Sequence, residues 1–304
     1  MTSTLAVVTG SDATYFDLMR GPIRAIRESA DLQSVPIYVF DAGLTAEQKQ
    51  WLAKQNATIA TPQWPHSRSV PGYVAMLAAR PRIPSYFPGH EVYLWIDADA
   101  WPQTVEAVAT YHRMALNKGF AVTPEAHPSY NNRELGAAHR KIRSWFGPEI
   151  AAALEGTAPI NLGVFAGAAE APHWAVWSKR VDDWLGASTK PEIDFNVDQT
   201  AFNMVVHTDK IDTALLPARY NWICHTSLPK ASPDGRILLE PTAPFSVLGV
   251  VHMTLWTKKG NVELQTPQGG KVSRPLTYHA EPLPGNGSAL PDYALSNLDL
   301  GDKA

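Results

Sequence analysis

Asp97 and Asp99 are the residues of this chain best suited to chemistry. They close the run 91–102, Glu-Val-Tyr-Leu-Trp-Ile-Asp-Ala-Asp-Ala-Trp-Pro. Residues 92–96 are apolar throughout and of strand length, the pattern of a central strand buried on both faces. In extended backbone, residues two apart point the same way. Two carboxylates on one side at a strand end are poorly placed for core packing. They suit a hard divalent ion such as Mg²⁺ or Mn²⁺, held by one or two carboxylates with phosphate and water completing its shell. The competing reading is that the pair only caps a turn ahead of Pro102. His252 ends a second apolar stretch, 247–251, and brings a metal-competent imidazole to a similar position, with Lys258 following six residues later.

The elements that must position these groups can be read in order. Residues 5–9 form a first strand, ended by Gly10-Ser11-Asp12. Residues 15–27 have helical spacing, with Tyr15, Leu18, Met19, Ile23 and Ile26 on one face and Pro22 placed to kink or start the helix. Strands follow at 37–40 and 58–60, separated by a helix that Thr45 and Gln48 cap. This alternation predicts a parallel, right-handed, Rossmann-like half. No Gly-x-Gly-x-x-Gly follows the first strand, which disfavours a dinucleotide site. Further on, helices are predicted at 70–79, 105–116, 133–146 and 172–185. Another opens within 194–203, where Asp194 and Asp198 suit a first turn. Strands are predicted at 120–123, 159–165, 214–216 and 247–251. Trp174, Trp177, Val181 and Trp184 recur at helical spacing and read as core.

Composition narrows the class. With 304 residues and 45% apolar content, a large core can form. A net charge of -3 without a basic block gives no support to nucleic-acid binding. The single cysteine, Cys224, has no internal partner and reads as a packed thiol in a reducing compartment. The first ten residues lack a basic leader, and no apolar run approaches membrane-spanning length. A cytoplasmic protein without a transmembrane segment is expected. Of the ten tryptophans most are expected in the core and a minority near a site. Trp101, Trp145, Trp222 and Trp256 are expected in loops near the site, one or two of them forming a stacking wall for an acceptor sugar or aglycone. From residue 261 to 304, Gly, Pro, Asn and Ser predict a loop-rich C-terminal extension to a domain spanning 1–260.

Taken in order, Asp12-x-x-Tyr15, Arg80, Asp97-Ala-Asp99, Asn161-Leu-Gly163, Asp198-Gln199 and His252 with Lys258 resemble the GT-A glycosyltransferases. The likeness is to the family-8-like retaining hexosyltransferases, which include glycogenin and the bacterial lipopolysaccharide galactosyl- and glucosyltransferases. It covers roughly residues 5–260 and implies an α/β fold with a central, mostly parallel sheet flanked by helices. It also implies that Asp97, Asp99 and His252 hold Mn²⁺ or Mg²⁺, with Asp97 or Asp99 also meeting the donor ribose. Lys258 and Arg80 would contact the diphosphate and donor, while Asp12 and Tyr15 hold the base. Asn161 would lie beside the donor sugar, with Asp198 and Gln199 beneath the reacting carbon. Two departures stand out. Leu255 and Trp256 occupy a segment where the family has small residues and Pro, and the tail lacks the basic character of bacterial members.

The implied reaction moves a hexose from a UDP-sugar, UDP-galactose or UDP-glucose, to a saccharide, lipid-linked saccharide or protein acceptor, with retention. Three alternatives stand beside it. One is an inverting transferase with Asp198 or Asp194 as base, and another is a sugar-nucleotide-binding module without catalysis. The third, a nucleotidyltransferase, would need a basic Gly-rich loop after the first strand, where Gly10-Ser11-Asp12 is acidic.

Overall fold

The computed structural model describes residues 4–64, 69–131, 140, 142–144, 146–187 and 197–278. Strands β1 (Leu5–Ser11), β2 (Ile37–Asp41) and β3 (Ala57–Ala60) pair in parallel. Strand β4 (Val92–Ile96) lies parallel to β1 on its other side. The helices Phe16–Arg27 and Ala46–Lys54 connect the first three strands. Thr45 and Gln48 form the expected reciprocal cap at the start of the second. After the short β5 (Ala100–Pro102) come β6 (Phe120–Pro124), β7 (Ile160–Ala168) and β8 (Ala214–Leu215). The seven-stranded sheet has the order β3-β2-β1-β4-β7-β6-β8. Every strand pair is parallel except those of β7, which runs antiparallel to β4 and β6.

Both faces of this sheet are covered, so its strands are apolar without alternation. Val7, Leu94 and Ile96 pack beneath the helices Phe16–Arg27 and Val105–Lys118. Ala6, Val8, Tyr93 and Trp95 pack on the other face against the helices Gly72–Ala79, His173–Ala187 and Val197–His207. Trp174, Trp177 and Val181 are buried there, as their spacing predicts. Pro22 does not break its helix. Burial of Phe16, Met19, Ile23 and Ile26 holds the helix together despite the missing hydrogen bond. The predicted helix at 133–146 falls largely outside the described residues, Trp145 included.

A second, smaller sheet closes the site end. In it β12 (Val250–His252) pairs antiparallel with β5 and parallel with β9 (Trp222–Ile223). Strands β10 (Lys230–Ala231) and β11 (Leu238–Leu239) form a two-residue ladder nearby. The stretch after residue 260 begins with a hairpin, β13 (Val262–Gln265) and β14 (Lys271–Arg274), rather than irregular loop. Val262, Leu264 and Leu276 join Trp101, Trp222 and Val251 in one apolar cluster. This corrects the reading of Trp101 and Trp222 as stacking walls. Both lie on strands and are buried, with indole N–H groups donating to the carbonyls of Leu276 and Ser227, each at 2.8 Å. Trp256 is 55% exposed and remains available to a ligand.

Trp222→Ala is therefore expected to lower unfolding free energy by about 3–5 kcal/mol, as large core truncations do. Urea denaturation checks this. An unchanged midpoint with weakened ligand binding would return Trp222 to the site.

Candidate metal centre

Backbone register brings Asp97, Asp99 and His252 together. Both acids follow β4, at the carboxyl ends of the parallel strands, where open α/β sheets receive ligands. The β5–β12 pairing sets His252 opposite Ala100, next in sequence to Asp99. The N–H of Met253 donates to the Asp99 carbonyl at 2.8 Å, and the N–H of Asp97 donates to the Gly163 carbonyl at 2.7 Å. His252 Nε2 lies 3.4 Å from Asp99 Oδ1 and 4.0 Å from Asp97 Oδ2. One ligand atom from each residue falls within 4.8 Å of the others. Two carboxylates and an imidazole converging in this way could hold a divalent metal ion.

Charge around the cluster is balanced by cations from distant segments. Burial pushes the Asp97 carboxyl above its ordinary value; Arg80 opposes the rise and Asp99 adds to it. Burial would also raise Asp99, but His252 and Lys258 hold it below the usual range. Burial would depress the His252 imidazole, yet Asp99 and then Asp97 carry it above. Lys258 Nζ sits 2.6 Å from Asp99 Oδ2 and 4.6 Å from the centre of the Tyr15 ring. It also donates to the Tyr15 hydroxyl at 3.3 Å.

Arg80 is buried beneath the cluster. Its Nε and Nη2 reach Asp198 Oδ2 at 2.6 and 2.5 Å. Its Nη1 donates to the Leu162 carbonyl at 2.7 Å and lies 3.4 Å from Asp97 Oδ1. The guanidinium packs over the Trp95 ring, whose N–H donates to Asp97 Oδ1 at 2.6 Å. Asp198 has no exposed surface, and burial raises its carboxyl to about 6 against the pull of Arg80. Gln199 accepts from the Leu162 N–H at 3.0 Å. Asn161 accepts from the Gly163 N–H at 2.8 Å and donates to Glu125 at 2.8 Å. At Gly163 a β-carbon would overlap the His252 ring, so glycine is required there for close approach. Asp12 accepts from the N–H groups of Thr14 and Tyr15, each at 2.9 Å, shaping the loop that presents the Tyr15 ring beside Lys258.

The residues singled out from sequence thus meet at one end of the sheet, with Asp12 shaping the loop beside them; Asp194 lies outside the described residues. Cys224 is buried, and burial pushes its thiol well above the usual range, in keeping with a packed thiol. Sequence reading missed Asn221, Glu125 and Asn203. Asn203 clamps β7 by accepting from the Ile160 N–H at 2.7 Å and donating to its carbonyl at 3.0 Å. A lone Asn with no spacing partner carries no signal in sequence. Only the position of Asn203 four residues after Gln199, on the same helical face, hinted at a shared role.

No family model and no curated protein sequence matches the chain. Solved structures do. An active-site mutant of LgtC superposes with a TM-score of 0.52 at 13% identity, covering 81% of this chain and 86% of that one. Galactosyltransferase LgtC in complex with donor and acceptor sugar analogues gives 0.49 at 12% identity with the same coverage. The glycosyltransferase GlyE of Streptococcus pneumoniae TIGR4 gives 0.46 at 16%, covering 73% of this chain. The chain spans 47% of GlyE and 40% of the bifunctional glycosyltransferase WbbM. At such identities the likeness is one of fold. The chain has the GT-A glycosyltransferase fold, a mostly parallel sheet flanked by helices.

Arg80→Met should cost about 3–5 kcal/mol near pH 8, because it leaves the buried Asp198 carboxylate unpaired. The folded-state value of Asp198, about 6, lies above its ordinary 3.8, so its stabilising contribution is complete below pH 3.8 and lost as pH rises through 6. The variant's deficit should therefore shrink at pH 5, where Asp198 takes up a proton. Urea denaturation at both pH values measures it. An equal deficit at each would show that Asp198 is not the group left unpaired.

Proposed function

We propose that the protein is a metal-dependent glycosyltransferase that moves a hexose from a UDP-sugar to an acceptor with retention. The convergence of Asp97, Asp99 and His252 within 4.8 Å, at the ligand-binding end of a GT-A sheet, carries this reading. A bound Mn²⁺ or Mg²⁺ would draw off charge building on the leaving diphosphate.

The chain's own residues supply the rest. Lys258 enters the site beside Asp99, where its ammonium can meet phosphate oxygens. The half-exposed Tyr15 ring, packed against that ammonium, offers a face for the base in a loop shaped by Asp12. Arg80, too buried to reach far, holds Asp97 and Asp198 in place and lends positive charge from below. Gln199 and Asn161 line the strand end beside these groups, where the donor sugar would lie.

The state of Asp198 supports retention over an inverting transfer with Asp198 as base. Its carboxylate has no exposed surface and is engaged by Arg80, so it cannot take a proton from an acceptor hydroxyl. In a retaining transfer the departing phosphate accepts that proton and no dedicated protein base is required. The acceptor, whether a saccharide, a lipid-linked saccharide or a protein, would approach past the exposed Leu255 and Trp256. No described helix is long and apolar enough to cross a membrane.

Asp97→Asn and Asp99→Asn should each weaken Mn²⁺-dependent UDP binding by more than about 100-fold, beyond the usual cost of losing an outer-sphere partner, while the protein stays folded. Calorimetry of UDP with and without Mn²⁺ decides it, and tight binding of UDP without metal would argue against the proposal. Trp256→Ala should raise the acceptor KM with UDP release from UDP-galactose or UDP-glucose little changed. Equal loss of both would remove Trp256 from the acceptor wall.

A further inference from the structure

His252 can share an ion with Asp97 and Asp99 only if it turns a lone pair toward them. A neutral imidazole has one N–H and one lone pair, and the bond made by the far nitrogen decides which nitrogen carries the proton. The far nitrogen here is Nδ1, 2.9 Å from Asn221 Oδ1.

We infer that Asn221 is a positioning residue that holds His252 with its proton on Nδ1 and its Nε2 lone pair on the carboxylate side. It does so through an amide relay anchored at Gly163 and Glu125. This rests on the reading of Asp97, Asp99 and His252 as metal ligands.

The relay has one polarity only, because its anchors cannot exchange roles. The Gly163 N–H can only donate, so the atom facing it at 2.8 Å is Asn161 Oδ1. The Glu125 carboxylate accepts, so the atom facing it at 2.8 Å is Asn161 Nδ2. Asn161 Oδ1 also receives the Asn221 amide at 3.0 Å, which must therefore present Nδ2. That leaves Asn221 Oδ1, an acceptor, against the imidazole, so Nδ1 must donate. Both ends of this last contact are buried, Asn221 at 1% and His252 at 3% exposure. An amide turned the wrong way there would place two like groups together without solvent to separate them.

The backbone supports the same assignment. Asn221 immediately precedes β9, whose Ile223 is the register partner of His252 in β12. Gly163 contributes its N–H to the relay and, through its missing side chain, the space for the ring. Asn161, read from sequence as lying beside the donor sugar, thus also orients, together with Gly163, a ligand contributed from far along the chain.

The test is Mn²⁺ titration of wild type and Asn221→Leu, with the free ion followed by electron paramagnetic resonance. Leucine keeps the branching and the number of side-chain heavy atoms and removes both hydrogen bonds. The Mn²⁺ Kd should rise about 10–100-fold while cooperative unfolding is retained, and a Kd within about twofold of wild type would overturn the assignment. Should that variant not fold, wild type carries the test. With histidine labelled by nitrogen-15 and cadmium-113 as the ion, one histidine, lost in His252→Gln, should show metal coupling at Nε2 and a proton at Nδ1. Coupling at Nδ1 would overturn the assignment and leave the metal site standing. Failure of wild type to bind either ion would overturn both.

Discussion

Two carboxylates side by side at the tip of a buried strand are mutually repelling and deprived of water. Like charges about 4 Å apart repel by about 4 kcal/mol at an effective dielectric near 20, and removal from water adds to that. The site end of this protein is arranged around that constraint. Arg80 lies beneath Asp97, Lys258 lies against Asp99, and His252 stands between the two acids. Each comes from a different part of the chain. The pair is not symmetric: burial holds Asp97 above its ordinary value against the pull of Arg80, while His252 and Lys258 hold Asp99 below its own. Asp97, Asp99 and His252 remain as a group that could hold a metal ion.

The three-stranded sheet makes that arrangement rigid. With β12 between β5 and β9, the residues flanking the acids, the imidazole and the amide that faces the imidazole are tied by backbone hydrogen bonds. Packing behind it by Trp101, Trp222, Leu264 and Leu276 fixes the strands, which is why Trp101 and Trp222 serve as core rather than as ligand surface. Asp198 follows the same logic one layer deeper. A fully buried carboxylate is stable only with its guanidinium, and the pair seats Arg80 against Trp95 and Asp97.

Much of this was legible in the chain because it is local. The apolar run ending at Asp97 and Asp99 announced a strand buried on both faces, and period-two geometry put both acids on one side. Thr45 and Gln48 announced a cap, and the Trp-rich helix announced its buried stripe. What misled was also local. Trp101 and Trp222 lie in short polar-flanked stretches that read as loops, since strands of two or three residues leave no periodicity to detect. Pro22 read as a kink or a start of its helix because the packing that compensates it belongs to other elements. The stretch beyond residue 260 read as irregular because Gly, Pro and Asn hide a hairpin whose two strands stabilise each other.

The sequence by itself determined the alternation of strands and helices, the paired acids at a strand end, and the residue types a cation and a diphosphate would need. The tertiary structure alone decided that β7 runs against its neighbours, that His252 reaches Asp99, and that Asn221 meets the ring. The division has a physical cause. Apolar periodicity and capping act between residues a few positions apart and so leave a mark in the chain. Strand direction, cross-strand register and the pairing of buried charges are settled by the free energy of assembling distant segments, for which no short stretch carries a signature.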